Sequence, residues 1–278
     1  MTTKLRFDPV LLLALPAAIY MVIVFAIPVV VLVARGFMDA GGFTLSNYVN
    51  FLSEPFNWVV IGNTLRVAFW TTVVCLILGY PTAVALARSK GAVQVAMLIA
   101  IILPLSVGVV VKTFAWQIVL RRDGIVAALL VATGVWDEPK LLLFTERGLV
   151  MGAANVFLPF MILPIYSVLK LADPNLQDAA ATLGAPPLFR FFNVALPLAM
   201  PGIVGGVSIV FSLATSMYVI PSLLIGDRFQ TLSTLTGRAF LLMRNEALGA
   251  TTATILLFLA VAIVACSALL SRGKGDSR

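Results

Sequence analysis

Six long apolar runs constrain the fold of this chain more than any other feature of its sequence. Each run exceeds the ~18 residues that a membrane-spanning helix needs, and no run alternates as the strands of a membrane β-barrel do. Backbone polar groups in lipid must be satisfied internally, and a helix does so within one segment. The sequence therefore predicts an all-α polytopic membrane protein with six transmembrane helices. The predicted spans cover about residues 9–34, 61–87, 92–119, 148–171, 198–225 and 247–270.

The composition indicates the same class of protein. Of the 278 residues, 61% are hydrophobic and 11% are charged, whereas a soluble domain carries about 25% charged residues. The formal net charge is +7, and in a membrane chain this charge indicates basic loops beside anionic lipid rather than a nucleic-acid partner. The absence of histidine excludes a serine–histidine triad and zinc–histidine sites, and no metal site is predicted. Cys75 and Cys266 lie inside apolar runs and are interpreted as packing residues.

The spans divide the chain into three predicted parts. Residues 1–60 contain the first helix and an outer loop, residues 61–270 form a transmembrane domain, and residues 271–278 form a polar tail. The apolar segment from Val126 to Val135 is too short to span a membrane and predicts an interfacial or re-entrant helix. An even number of spans places both termini on one side. The density of basic residues, above all in the short loop Arg88–Lys90, favours the cytoplasm for that side.

The connection between the fourth and fifth spans, residues 172–197, predicts two short helices and is called the coupling segment below. Asp173 is a favourable N-cap, with a proline in the first turn, for a helix that extends to Leu183. Gly184 follows where a helix C-cap needs a left-handed residue. One of the next two prolines then begins a second helix toward the membrane. The first helix presents a small apolar face composed of Leu176, Ala179, Ala180 and Leu183.

A specific pattern occupies this segment: Asp178-Ala179-Ala180, then Gly184, then Val194, then Leu196-Pro197. It resembles the cytoplasmic signature of the type-1 ABC importer permeases. That signature is Glu-Ala-Ala, three residues, Gly, nine residues, Ile, one residue and Leu-Pro. Aspartate here replaces glutamate, and valine replaces isoleucine. The position between the fourth and fifth spans also agrees with the family.

Further motifs resemble the spermidine/putrescine subgroup of that family, and the similarity covers nearly the whole chain. They are Asn63-Thr64-Leu65-Arg66, Gly79-Tyr80-Pro81, Thr113-Phe114-Ala115-Trp116, Leu158-Pro159-Phe160-Met161 and Tyr218-Val219-Ile220-Pro221-Ser222-Leu223-Leu224. The resemblance implies a multi-pass permease in the bacterial inner membrane with both termini in the cytoplasm. It also implies import of a small solute, and a polyamine is the solute that the subgroup favours.

The resemblance further implies that ATP hydrolysis takes place in a separate subunit. The chain agrees, because it contains no Gly-x-x-x-x-Gly-Lys-Ser/Thr phosphate loop. The implied partners are an ATPase dimer that holds ATP with Mg, a second and different permease chain, and a periplasmic or lipid-anchored substrate-binding protein. The chain itself is expected to bind no cofactor and to catalyse no reaction. The residues implied to couple it to the ATPase are Asp178, Ala179, Ala180, Gly184, Arg190, Leu196 and Pro197.

Four residues are candidates to line a translocation path. Lys112 is an ionisable residue on an otherwise apolar helix, which indicates function by default; the alternative is a side chain that reaches the outer interface. The aromatic candidates are Tyr80, Trp116 and Tyr218, for each of which packing is the alternative.

The substrate and the transport class have alternatives. A polyamine site would use carboxylates or aromatic rings, yet all twelve acidic residues lie in loops or at helix ends. An amino acid derivative, a phosphonate or an iron chelate therefore stays open as the solute. A secondary transporter would usually need intramembrane acids for ion coupling. An intramembrane enzyme would need paired aspartates or a HExxH motif, and the sequence has neither.

Overall fold

A computed structural model describes residues 9–39, 42–173, 175–226 and 229–272 of the chain. The helices of the first half are α1 (Pro9–Gly36), α2 (Ser46–Ser53), α3 (Pro55–Arg88), α4 (Gly91–Ile102), α5 (Val109–Val119) and α6 (Ile125–Ala132). Those of the second half are α7 (Glu146–Leu171), α8 (Asn175–Thr182), α9 (Pro187–Arg190), α10 (Leu196–Ser216), α11 (Val219–Leu224), α12 (Leu232–Leu241) and α13 (Glu246–Arg272). A short antiparallel hairpin pairs β1 (Met38–Asp39) with β2 (Gly42–Phe43).

The helical lengths confirm an all-α polytopic membrane protein. Within the described residues, five helices are long and apolar enough to cross a membrane, and a bent pair of helices raises the number to six. The first, second, fourth and sixth predicted spans correspond to α1, α3, α7 and α13. The second span begins earlier than predicted because Pro55, favoured in the first turn of a helix, starts α3. Pro174 and the end of the polar tail, residues 273–278, lie outside the described residues.

The third and fifth predicted runs are not single straight helices. In the third, a 3₁₀ turn (Leu103–Ser106) separates α4 from α5, and the two axes differ by 101°. Pro104 lies in the first turn of that 3₁₀ segment, where its missing N–H leaves no bond unmade. In the fifth, Met217 is extended and ends α10. This break places Pro221 in the first turn of α11, where a helix needs no amide donor.

Three helices, α3, α7 and α10, form the densest part of the core. Small residues allow their backbones to approach closely. A Cβ on Gly202 of α10 would lie 2.7 Å from Cα of Ile165 in α7. A Cβ on Gly79 of α3 would lie 2.8 Å from Cγ of Met161 in α7. Fully buried side chains between these helices include Val67, Ala68, Cys75, Ala83, Leu149, Ala153, Met161, Ile165, Ala199 and Val210.

The core helices define two ends of the bundle. At the end called the coupling end, α3 and α7 finish and α8 and α9 lie before α10 begins. At the far end, the amides of Leu142 and Leu143 donate to the carbonyl of Leu120, and the amide of Phe144 donates to Leu224. The short helix α6, with eight residues, leads into this far-end loop and is too short to span a membrane.

Candidate functional site

Gly184 follows α8 in the left-handed conformation that the sequence spacing predicts. Its φ is +79°. The amide of Ala185 donates to the carbonyl of Ala180 at 3.1 Å, and the amide of Gly184 donates to Ala181 at 3.0 Å, which together form a Schellman motif. Within the described chain, no atom lies within 4 Å of the place where a Cβ on Gly184 would stand. The backbone conformation, rather than packing, therefore requires glycine here.

The second half of the coupling segment is one continuous helix that enters the bundle. Pro186 is extended, and Pro187 begins α9. A π-helical turn (Phe191–Ala195) follows, in which the amide of Leu196 donates to the carbonyl of Phe191. Proline cannot donate a helical hydrogen bond and crowds the carbonyl four residues earlier, so a wider turn suits the chain just before Pro197. Together the helices from Pro187 to Ser216 form one candidate span of 30 residues.

The coupling segment exposes apolar side chains rather than burying them. Leu183 is 87% exposed and Leu188 is 74% exposed, and the rings of Phe189 and Phe192 are also mostly accessible. An exposed apolar cluster on an otherwise polar connection is typical of a protein-binding surface. The turn at Gly184 sets the angle between α8 and α9 and so sets the shape of this surface.

The residues predicted to couple with an ATPase occupy four places in this segment, one of which is the turn at Gly184. Asp178, Ala179 and Ala180 belong to α8, and the side chain of Asp178 lies outside what the structure describes. Arg190 ends α9 and is half-buried, whereas Leu196 and Pro197 begin α10. The pattern is thus spread along the coupling segment and its junction with the core.

Tyr80, a candidate for the translocation path, contacts the coupling segment. Its ring on α3 meets the ring of Phe191 edge-on, with centroids 5.8 Å apart. The ring of Phe191 also packs edge-on against Phe192, at 5.0 Å. Tyr80 therefore lies where the π-helical turn docks on the core.

Lys112 and Trp116 lie one helical turn apart on α5, toward the far end of the bundle. Lys112 is half-buried. The indole Nε1 of Trp116 donates to Oδ1 of Asn155 on α7 at 3.1 Å. Beside it, Nε2 of Gln117 donates to the carbonyl of Leu223 at 2.7 Å. These two bonds hold the bent helix α5 against α7 and α11.

Tyr218 lies in the break between α10 and α11. Its ring packs against Gly237 of α12, where an added Cβ would clash with Cε2 of the tyrosine ring. The side chain is 40% exposed. The structure thus places Tyr218 on the far-end half with Trp116 and Lys112, and it does not bring Tyr80 into that group.

The sequence reasoning missed several polar contacts that join the helices. Nε of Arg66 on α3 donates to Glu146 at the start of α7 at 2.7 Å, and its guanidinium lies 5.7 Å from the ring centre of Phe229. Arg35 at the end of α1 pairs with Glu246 at the start of α13 at 2.7 Å. The contact of Asn155 could have been expected from the sequence, because an amide side chain inside an apolar run needs a hydrogen-bond partner. The charged partners are far apart in sequence, and only the fold pairs them.

The family described as "Binding-protein-dependent transport system inner membrane component" matches residues 79–272 of this chain. That range begins inside α3 and includes the coupling segment and every later span.

Two relatives with the same name align with most of this chain. The chain is 33% identical to the spermidine/putrescine transport system permease protein PotB of Haemophilus influenzae, over 74% of this chain and 72% of the relative. It is 32% identical to the protein of the same name in Escherichia coli, over 77% of this chain and 78% of the relative.

A solved structure shares the fold. The match is to a chain of a bacterial ABC transporter involved in the import of the acidic polysaccharide alginate, with a TM-score of 0.75. The alignment covers 96% of both chains at 17% sequence identity. At that identity the likeness establishes the architecture alone.

Proposed function

This chain belongs to the family of binding-protein-dependent transport system inner membrane components, and from that premise we propose that it carries a polyamine of the spermidine/putrescine type across the membrane. Family membership makes the chain a multi-pass inner-membrane permease of an ABC importer, a component that is not itself catalytic. The polyamine substrate is supported by the two relatives, both spermidine/putrescine permeases that align with most of this chain.

The coupling segment is the observation that carries the mechanism. Its exposed leucines and its glycine-dependent shape suit insertion into a cleft on an ATPase subunit, with α8 entering the cleft. The ATPase dimer holds ATP with Mg, and its closure moves the coupling segment. Because the helix continues unbroken from Pro187 to Ser216, that movement is transmitted to α10 and the packed core.

Surfaces that the described chain leaves uncovered support the other proposed partners. No residue of α4 is buried, and most of the described part of α1 is exposed. A second, different permease chain and membrane lipid cover these helices. A periplasmic or lipid-anchored binding protein delivers the solute at the far end, and the termini and coupling segment lie in the cytoplasm.

Within this scheme, polyamine selectivity resides in the binding protein. Among the described residues, the acidic side chains nearest the core are at helix ends, where Glu146 pairs with Arg66 and Glu246 pairs with Arg35. The permease offers the rings of Trp116 and Tyr218, in the far-end half, to a passing cation. The ring of Tyr80 instead packs on Phe191 of the coupling segment. The absence of an intramembrane acid in the described spans is also what keeps an amino acid derivative, a phosphonate or an iron chelate as the alternative solute.

Uptake in whole cells tests the proposal. The chain is co-expressed with its ATPase, partner permease and binding protein in cells that lack their own polyamine importers. We expect ATP-dependent uptake of radiolabelled spermidine or putrescine, and no uptake when the binding protein is omitted. Uptake of a phosphonate, an iron chelate or an amino acid derivative without polyamine uptake would replace the proposed substrate. Solute uptake driven by an ion gradient without the ATPase would contradict the transport mechanism.

A further inference from the structure

A basic cavity of about 1000 Å³ lies at the coupling end, between the core and the coupling segment. Its basic lining comes from four places: Arg88 near the end of α3, Lys90 before α4, Lys170 near the end of α7 and Arg190 in the coupling segment. One carboxylate, that of Asp173, also lines it.

The electrostatic balance of this cavity favours an anion. The ends of α3 and α7 each contribute a partial charge of about −0.5, so four cations and one carboxylate leave a net charge of about +2. In addition, Nε of Arg190 is buried and has no hydrogen-bond partner among the residues that the structure describes. A buried donor of this kind is costly to leave unbonded. A polycationic solute would be repelled here, so the cavity does not suit the proposed cargo.

The walls of the cavity favour a lipid rather than a free anion. Val84, Leu169 and Leu198 line it together with Tyr80, so an apolar wall lies behind the basic rim. A basic rim above an apolar wall matches a phosphate head group joined to acyl chains. Basic pockets between transmembrane helices on the cytoplasmic side are known to bind such head groups. An acidic side chain of the ATPase would use the rim and would leave the apolar wall unused.

We propose that this cavity holds an anionic phospholipid of the inner membrane, with its phosphate on Arg190 and Lys170 and its first methylene groups on the wall of Val84, Leu169 and Leu198. Bound there, the lipid joins the coupling segment to the ends of α3 and α7. The inference rests on the proposed function in one respect, which is the cytoplasmic placement of the coupling end.

Native mass spectrometry of the assembled complex measures the lipid directly. The complex is purified with added phosphatidylglycerol or phosphatidylcholine, and bound lipid is counted for each variant. We expect retention of phosphatidylglycerol alone by the unaltered protein. Arg190→Gln and Lys170→Gln should each weaken retention about fivefold, because the attraction of one basic residue to anionic lipid at a membrane surface corresponds to about a fivefold change in binding. Arg147→Gln is the matched control, since it removes one charge from the opposite end of α7 and should retain the lipid.

Three results would overturn the lipid site. The first is equal retention of phosphatidylglycerol by the unaltered protein and by both cavity variants at equal membrane abundance. The second is thermal stabilisation by inorganic phosphate as large as that by phosphatidylglycerol, which would assign the cavity to a soluble anion. The third is that the two cavity variants retain the lipid but no longer bind the ATPase, which would assign these basic residues to ATPase binding. If the unaltered complex retains the lipid but takes up no polyamine, the result counts against the proposed function and not against this site.

Discussion

The core of α3, α7 and α10 and the coupling segment use glycine for opposite reasons. In the core, Gly202 has normal helical backbone geometry, and its missing Cβ allows α10 to touch the backbone of α7 at Pro164 and Ile165. In the coupling segment, Gly184 has open space around it and is required by its φ of +79°. The first glycine supports contacts inside the chain, and the second shapes a surface that the chain leaves uncovered.

This difference separates stability from transport. Side chains in the core are buried against one another, so a change there acts on the folded state. In the coupling segment, Leu183, Leu188, Phe189 and Phe192 are exposed, so a change there acts on the bound state with the ATPase. Core variants should therefore lower the amount of folded protein in the membrane. Coupling-segment variants should leave that amount unchanged and lower uptake.

The largest expected effect is that of Gly202→Val in the core. A Cβ there would lie 2.7 Å from Cα of Ile165 and 2.8 Å from the carbonyl oxygen of Pro164, both backbone atoms. Overpacking in a close-packed site typically costs about 1–3 kcal/mol and occasionally more, and backbone atoms cannot move aside as a flexible side chain can. We expect loss of folded protein from the membrane, measured by abundance and by thermal melting in detergent. Gly205→Val is the matched control on the same helix, because its nearest contact would be 4.0 Å away. Equal stability of the two variants would contradict the close approach of α7 and α10.

The next effect is that of Gly184→Val in the coupling segment. A residue with a Cβ pays about 1–2 kcal/mol in the left-handed conformation, which corresponds to a five- to thirtyfold loss of docking and uptake. Membrane abundance should stay normal, because no core contact depends on Gly184. Co-purification with the ATPase and uptake by intact cells are measured together.

Gly134→Val provides the matched control for Gly184→Val. Gly134 has a φ of +71°, and its added Cβ would also meet no described atom within 4 Å, but it follows α6 at the far end. The same backbone strain there should leave ATPase co-purification intact. Equal ATPase docking by Gly184→Val and the unaltered chain would remove the coupling role from residues 172–197.

A milder effect of the same kind is expected for Asp178→Ala. An acidic side chain in the N-terminal half of α8 interacts favourably with the helix dipole and stabilises the helix by about 0.3–1 kcal/mol. Its loss therefore corresponds to about a two- to fivefold change in docking. The measurement is the affinity of the ATPase for the permease complex. Asp137→Ala, in the far-end loop, is the control for loss of one acid. A loss of docking as complete as that of Gly184→Val would instead indicate a direct carboxylate contact with the ATPase.

The smallest effect is expected for Lys112→Met on α5, which belongs to neither region. Removing one charge within about 4 Å of a passing cation in water removes about 1 kcal/mol of repulsion. The KM for spermidine should therefore fall about two- to fivefold at unchanged membrane abundance, whereas an anionic solute would show a rise in KM. Lys140→Met, a loss of the same charge in the far-end loop, is the control. Unaltered uptake kinetics would return Lys112 to an anchoring role at the membrane interface.

The sequence by itself determined the class of protein, the four spans α1, α3, α7 and α13, and the turn at Gly184. These features depend on local physics: continuous apolar length decides a span, and a glycine after the last helical turn decides a C-cap. The match at Asp178-Ala179-Ala180 and Leu196-Pro197 is local in the same sense, because it depends only on residue types and their spacing within one short segment. The same pattern gave the family, and the comparisons confirmed it.

Only the tertiary structure decided the bend between α4 and α5, the break at Met217 and the pairing of Arg66 with Glu146. Apolar composition is the same in a straight span and a bent one, so hydropathy carries no signal for a bend of 101°. Pairs such as Trp116 with Asn155, or Tyr80 with Phe191, depend on which helix faces come together across long separations in sequence. Those faces are selected by close packing at glycines such as Gly202, a global property that no local pattern contains.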